Sequence, residues 1–135
     1  MTELFDHPLI TLWYHEVPKI VHHQVHRATY GSETEVFKQA LKCGAEAMRV
    51  NGASKWLSDD RSYYVPPPEL QEWAANTWFP EVVAAGWRYW AIVQPETAVT
   101  KLYMSRITSE VGSQGIDVRV FRDGEAALAW LESLP

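Results

Sequence analysis

The sequence predicts an α/β fold with a five-stranded mixed sheet and four main helices. Three observations carry this. The first 30 residues contain two runs rich in β-branched and aromatic side chains, a capped amphipathic helix follows, and strand-like and helical stretches then alternate to the end of the chain. Each later connection is long enough for a parallel crossover, so right-handed connections make strands two to five parallel and leave the first antiparallel at an edge through its hairpin. A chain of 135 residues, 47% hydrophobic and 21% charged, fits one domain spanning residues 1–135.

Leu9 to His15 and Ile20 to His26 form the hairpin, joined by Glu16-Val17-Pro18-Lys19. The expected register sets Leu12 opposite Val25, Tyr14 opposite His23 and His15 opposite His22. Ile10, Leu12, Tyr14, Val21, His23 and Val25 then share a core face, and Thr11, Trp13, His15, His22, Gln24 and His26 share the other. Ser32 with Glu35 reads as a capping box for a helix whose apolar residues include Phe37, Ala40, Leu41, Gly44 and Met48, stopped at Asn51-Gly52. Gly44 falls on the buried stripe, where a missing side chain permits close approach. Lys55 to Ser58 reads as a buried strand opening into Asp59-Asp60-Arg61 and the loop RSYYVPPP.

Pro66-Pro67-Pro68 suits the start of a helix carrying Leu70, Trp73, Ala74, Thr77 and Trp78 inward, which Pro80 should bend or break before it resumes through Val82 and Val83. Gly86 ends it, and Trp87 to Val93 is the next strand. A helix over Ala98 to Val111 is expected to bury Leu102, Tyr103, Ile107 and Val111. Ile116 to Phe121 is the last strand, and Asp123 caps a closing helix that buries Ala127, Trp130, Leu131 and Leu134.

The opening hairpin, Gly31 with its acidic capped helix, the GASKWLSDDR strand end, the LQEWAANTWFPEVVAAGWRYWAIVQP block and the closing VRVFRDGEAALAWL together resemble the SpoIIAA-like, STAS-type domains, in particular small free-standing bacterial members of unassigned function. The resemblance spans nearly the whole chain. It implies the SpoIIAA-like fold and a non-enzymatic regulatory or scaffold role exercised through protein contacts. In the resembled antagonists of anti-sigma factors, a phosphorylatable serine follows an aspartate at the strand end. Asp59 or Asp60 matches that aspartate and Ser62 is the nearest downstream serine, but the Asp-Ser-Ser-Gly pattern is absent and three prolines separate Ser62 from the helix, which argues against a kinase switch. The fold also resembles the lipid-binding CRAL-TRIO domain, which brings in a small-ligand reading.

Lys and Arg number 12 against 17 Asp and Glu, a formal charge of −5 without a basic cluster, so nucleic acid is not an expected partner. No run is long and apolar enough to span a membrane, Cys43 has no partner cysteine, and the first residues lack a basic, apolar leader; the expected location is the cytoplasm. Asp59, Asp60, Arg61, Ser62, Tyr63 and Tyr64 follow a buried strand, where open α/β sheets hold ligands, and form the candidate ligand or partner site. The structural alternative has Asp59 capping backbone N–H groups and Arg61 pairing with Asp60. No nucleophile or oxyanion donor accompanies these carboxylates, which ranks an enzyme third. His15, His22 and His26 share a face, and His15 and His22 stand opposite each other as two imidazoles that could share a metal, but no third ligand is placed there by spacing, so neither metal nor cofactor is expected. Trp13, Trp87, Tyr63 and Tyr64 are the aromatic residues left over once Trp56, Trp73, Trp78, Trp90 and Trp130 are assigned to the core. Trp13, His15, His22 and His26, beside the expected edge strand, are the candidate surface for a homodimer or protein partner. The leading expectation is thus a scaffold, and the alternative a carrier or sensor of a small apolar or anionic ligand near the third strand end.

Overall fold

Alternating side chains that bury one or both faces, linked by crossovers of helical length, give this chain a mixed sheet with helices on both sides. The computed structural model describes residues 1–135. Its strands are β1 (Thr2–Asp6), β2 (Ile10–His15), β3 (Ile20–Val25), β4 (Lys55–Asp59), β5 (Tyr89–Val93) and β6 (Asp117–Phe121), adjacent in sequence order. β1, β2 and β3 are antiparallel, and β3 to β6 are parallel. The sheet has six strands, not the expected five. The segment TELFD escapes a pattern reading because only Leu4 and Phe5 are apolar and adjacent, so no alternation marks it. Its pairing moves the edge from β2 to β1.

The hairpin register also differs from the expectation. The four-residue connection Glu16–Lys19 joins His15 directly to its partner Ile20, which sets Leu12 against His23, Tyr14 against Val21 and Trp13, instead of His15, against His22. This is a slip of two residues. Because side chains alternate with period two, both faces keep their predicted members.

The helices are α1 (Thr34–Asn51), α2 (Pro68–Trp73), α3 (Phe79–Ala85), α4 (Ala98–Gly112) and α5 (Gly124–Glu132). With β3 to β6 in simple succession, right-handed crossovers bring α1, α2–α3 and α4 to one face. There they close the main core over Leu12, Val21, Trp56, Trp90 and Ile92. α5 alone covers part of the other face, with Ala127 and Leu131 packed on Ile20, Leu57, Ala91 and Val93. Asp123 caps it by accepting the Ala126 N–H at 2.8 Å. No helix is long and apolar enough to cross a membrane.

Local chemistry explains the remaining departures. A 3₁₀ turn over Gly31–Glu33 precedes α1 and takes in Ser32. The capping carboxylate is therefore Glu33, which accepts the Tyr30 N–H at 3.2 Å and two Arg27 bonds at 2.7 and 2.6 Å, in place of the expected Ser32–Glu35 box. Gly52, at φ 62°, ends α1. α2 and α3 form one helical rod whose middle, Ala74–Trp78, is a π turn in which the Phe79 N–H reaches back to the Ala74 carbonyl. Pro80 has no N–H to offer the Asn76 carbonyl, and the wider turn just before it accommodates that loss without breaking the rod. In α4 the buried stripe is Thr100, Met104, Ile107 and Val111, so Leu102, about 200° around from Thr100, is 75% exposed instead of buried.

Candidate functional site

The residues at the C-terminal end of β4 alternate between the two faces of the sheet. Trp56, Ser58 and Asp60 face the helices α1 to α4, whereas Lys55, Leu57 and Asp59 face the α5 side. This alternation divides the predicted cluster. Asp60 and Tyr63 go to one side, while Asp59 and Arg61 go to the other.

On the helical side lies a cavity of about 60 Å³. Phe37 and Leu41 of α1, Leu70 of α2, Phe79 of α3 and Met104 of α4 bound it, above His23, Trp56, Ser58 and Trp90 of the sheet. Ala74 and Trp78 of the π turn line it as well. Thirteen of its 17 lining residues are hydrophobic, so its few polar groups dominate its chemistry.

The polar groups form an ordered chain. The Trp56 indole N–H donates to His23 Nδ1 at 3.0 Å, and His23 Nε2 lies 2.8 Å from Asp60 Oδ1. An indole can only donate, so Nδ1 must accept and the ring proton sits on Nε2, which donates to the carboxylate. The imidazole is thereby fixed in one tautomer and orients Asp60. Asp60 is 3% exposed, and its other oxygen accepts no hydrogen bond from the protein. Beside it the Trp90 indole donates to Ser58 Oγ at 2.7 Å, which leaves the Ser58 proton for another partner. The Tyr63 backbone N–H donates to the Asp60 carbonyl at 3.0 Å, and the Tyr63 ring stacks on Phe37 at 5.9 Å. Burial first, then the nearby Tyr103 and Asp60, holds the Tyr63 phenol well above its usual range. Burial likewise raises Tyr103 to about 12, against the pull of Arg106 and with Glu110 and Asp60 adding to the rise. Both phenols are neutral hydrogen-bonding groups near neutral pH.

The opposite face carries the other candidates. Arg61 pairs with Asp59, through bonds of 2.9 and 2.7 Å, and not with Asp60. Burial opposes ionisation of Asp59, yet the Arg61 bonds and charge hold its carboxyl below the usual range. His15 Nε2 and His22 Nδ1 are 3.0 Å apart despite the shifted register, with Trp13 against His22 at a centroid distance of 5.0 Å. Burial, then His15 and His23, lowers His22 to about 4 against the attraction of Asp59. His26 is separate from this pair: its Nε2 donates to Thr11 Oγ1 at 2.8 Å, and Thr11 donates to Asp6 at 2.9 Å. No three metal-ligating side chains converge.

Of the loop residues, Tyr64 is exposed and Ser62 is half-buried without a side-chain hydrogen bond. Trp87 is a correction, since it is fully buried and lines the cavity instead of the surface. Cys43 is half-buried, with Sγ 3.5 Å from the Leu4 carbonyl, and burial raises its thiol above the usual range. Sequence reasoning missed His23, Ser58 and Tyr103 as site residues. The signal for His23 was its place on the core face of the hairpin, where a buried imidazole requires partners. No family model, curated protein or solved structure matches the chain.

Proposed function

We propose that this protein is a carrier or sensor of a small ligand with an apolar body and one hydrogen-bonding head, held in the cavity beside the end of β4. The observation that carries this reading is Asp60: a buried carboxylate, oriented by His23 and Trp56, with one oxygen that accepts no hydrogen bond from the protein and opens onto a mostly apolar cavity. That oxygen opens onto the cavity without a protein donor, so a donor on a ligand can bond to it there. The same group disfavours the anionic ligand entertained from the sequence, because two negative charges would meet away from water. The π turn supports this reading too, since such turns are frequent at functional sites and this one contributes Ala74 and Trp78 to the lining.

The test is a titration of tryptophan fluorescence with four-carbon alcohols and amines. Saturable binding that disappears in Ala74→Leu, which fills the cavity from a half-exposed helical position, supports the proposal; binding unchanged by that variant refutes it.

A second reading keeps the STAS-like scaffold, supported by the order of strands and helices and by the mixed sheet, from which the extra strand β1 departs. One observation favours a partner surface: α5 packs on β4, β5 and β6 and leaves Trp13, His15 and His22 of β2 and β3 partly exposed beside it. A homodimer or protein partner on that face is lost when Trp13 and His22 are both changed to Asp, read as a fall in mass by light scattering.

A further inference from the structure

We propose that the ligand is a small alkylammonium cation, its nitrogen on Asp60 and its alkyl group among the indoles. The inference rests on the ligand-binding reading of the same cavity and adds charge to it. No lysine or arginine lines the cavity, so nothing there balances the Asp60 carboxylate. His23 is its only side-chain partner, and that partner brings no positive charge, because a proton on Nδ1 would collide with the Trp56 N–H that already occupies the site. A cation in the cavity makes a charge-assisted bond to the free oxygen, which is roughly twice as strong as a neutral one.

The walls suit the same ligand. Trp56, Trp78, Trp87, Trp90 and Phe79 surround the space, and aromatic faces accept alkyl groups and organic cations. The Ser58 hydroxyl and the two phenols can take up the remaining ammonium protons as neutral acceptors. A cavity of about 60 Å³ suits a short alkyl group. A formal charge of −5 favours the approach of such a cation from solution.

Calorimetry on the full chain at pH 7.5 compares three probes of one shape: isobutylammonium, isobutanol and isobutyrate. Isobutylammonium should bind at least about tenfold more tightly than isobutanol, and isobutyrate should not bind. In Asp60→Asn, with circular dichroism matching the wild type, the amine should fall to the level of the alcohol while the alcohol changes little. If that variant does not fold, the ratio of amine to alcohol in the wild type decides alone. Alcohol binding equal to or tighter than the amine, or amine binding retained by Asp60→Asn, overturns the cation and leaves a neutral-ligand site. Absence of binding by all three overturns the cation together with the ligand reading.

Discussion

His22 sits against His15 and Trp13 on the open face, and its surroundings make it a poor base. Its value is about 4 in the folded chain and 6.5 when freely solvated. Between these values the unfolded state binds the proton and the folded state does not. The contribution of His22 to stability is therefore fully present above pH 6.5 and is lost as the pH falls towards 4, by about 2–3 kcal/mol across the window. Urea midpoints measured at pH 7 and pH 4.5 should fall for the wild type, and the drop should be smaller in His22→Asn; equal drops would show that His22 does not supply it. A second residue test concerns Gly44, where a Cβ would stand 2.3 Å from Trp56 Cη2. The indole is held by Trp78, Trp87 and its bond to His23, so it cannot swing away cheaply. Gly44→Ala should cost about 1–3 kcal/mol, because overpacking outweighs the roughly 1 kcal/mol gained in helix propensity. The same displacement loosens His23 and, through it, Asp60, so isobutylammonium binding should weaken in parallel. An unchanged urea midpoint contradicts this.

Among the elements, legibility follows from how strongly each segment's local chemistry agrees with its place in the fold. α5 was visible from Asp123 and its apolar stripe, and the bond from the Ala126 N–H to Asp123 has the expected form. Asp123→Ala should cost about 1 kcal/mol and speed amide exchange in α5, while ligand binding on the other face stays as it was. β1 was not visible, because an exposed outer strand needs no alternation and takes its pairing from β2. The π turn was foreshadowed only as a disturbance at Pro80, since sequence does not say whether a helix breaks, kinks or widens around a missing N–H. Pro80→Ala restores that donor and lets the rod relax to regular α-helix. The expected results are a rise of about 1 kcal/mol in stability and weaker isobutylammonium binding, as Ala74 and Trp78 rotate out of the lining. Binding unchanged in a stabilised variant would separate the π turn from the site.

For the whole molecule, the α/β class and the parallel crossovers were readable from the alternation of elements. The composition of the site was not. Consecutive aspartates look like one cluster in a sequence, but in a strand they belong to opposite faces, so Asp59 joins Arg61 and Asp60 joins His23. Tyr103 and the four cavity tryptophans arrive from α4, β4, the π turn, the connection before β5 and β5 itself, and only the packed molecule brings them to Asp60. The chain has seven tryptophans: Trp56, Trp78, Trp87 and Trp90 line the cavity, whereas Trp13, Trp73 and Trp130 do not. Their indole N–H resonances in a two-dimensional ¹⁵N–¹H spectrum therefore report the ligand's position directly. On addition of isobutylammonium, the account predicts shifts for the four cavity indoles, largest for Trp56, whose N–H donates to His23, while Trp13 and Trp130 stay in place. Shifts confined to Trp13 and Trp130, or none at all, would contradict it.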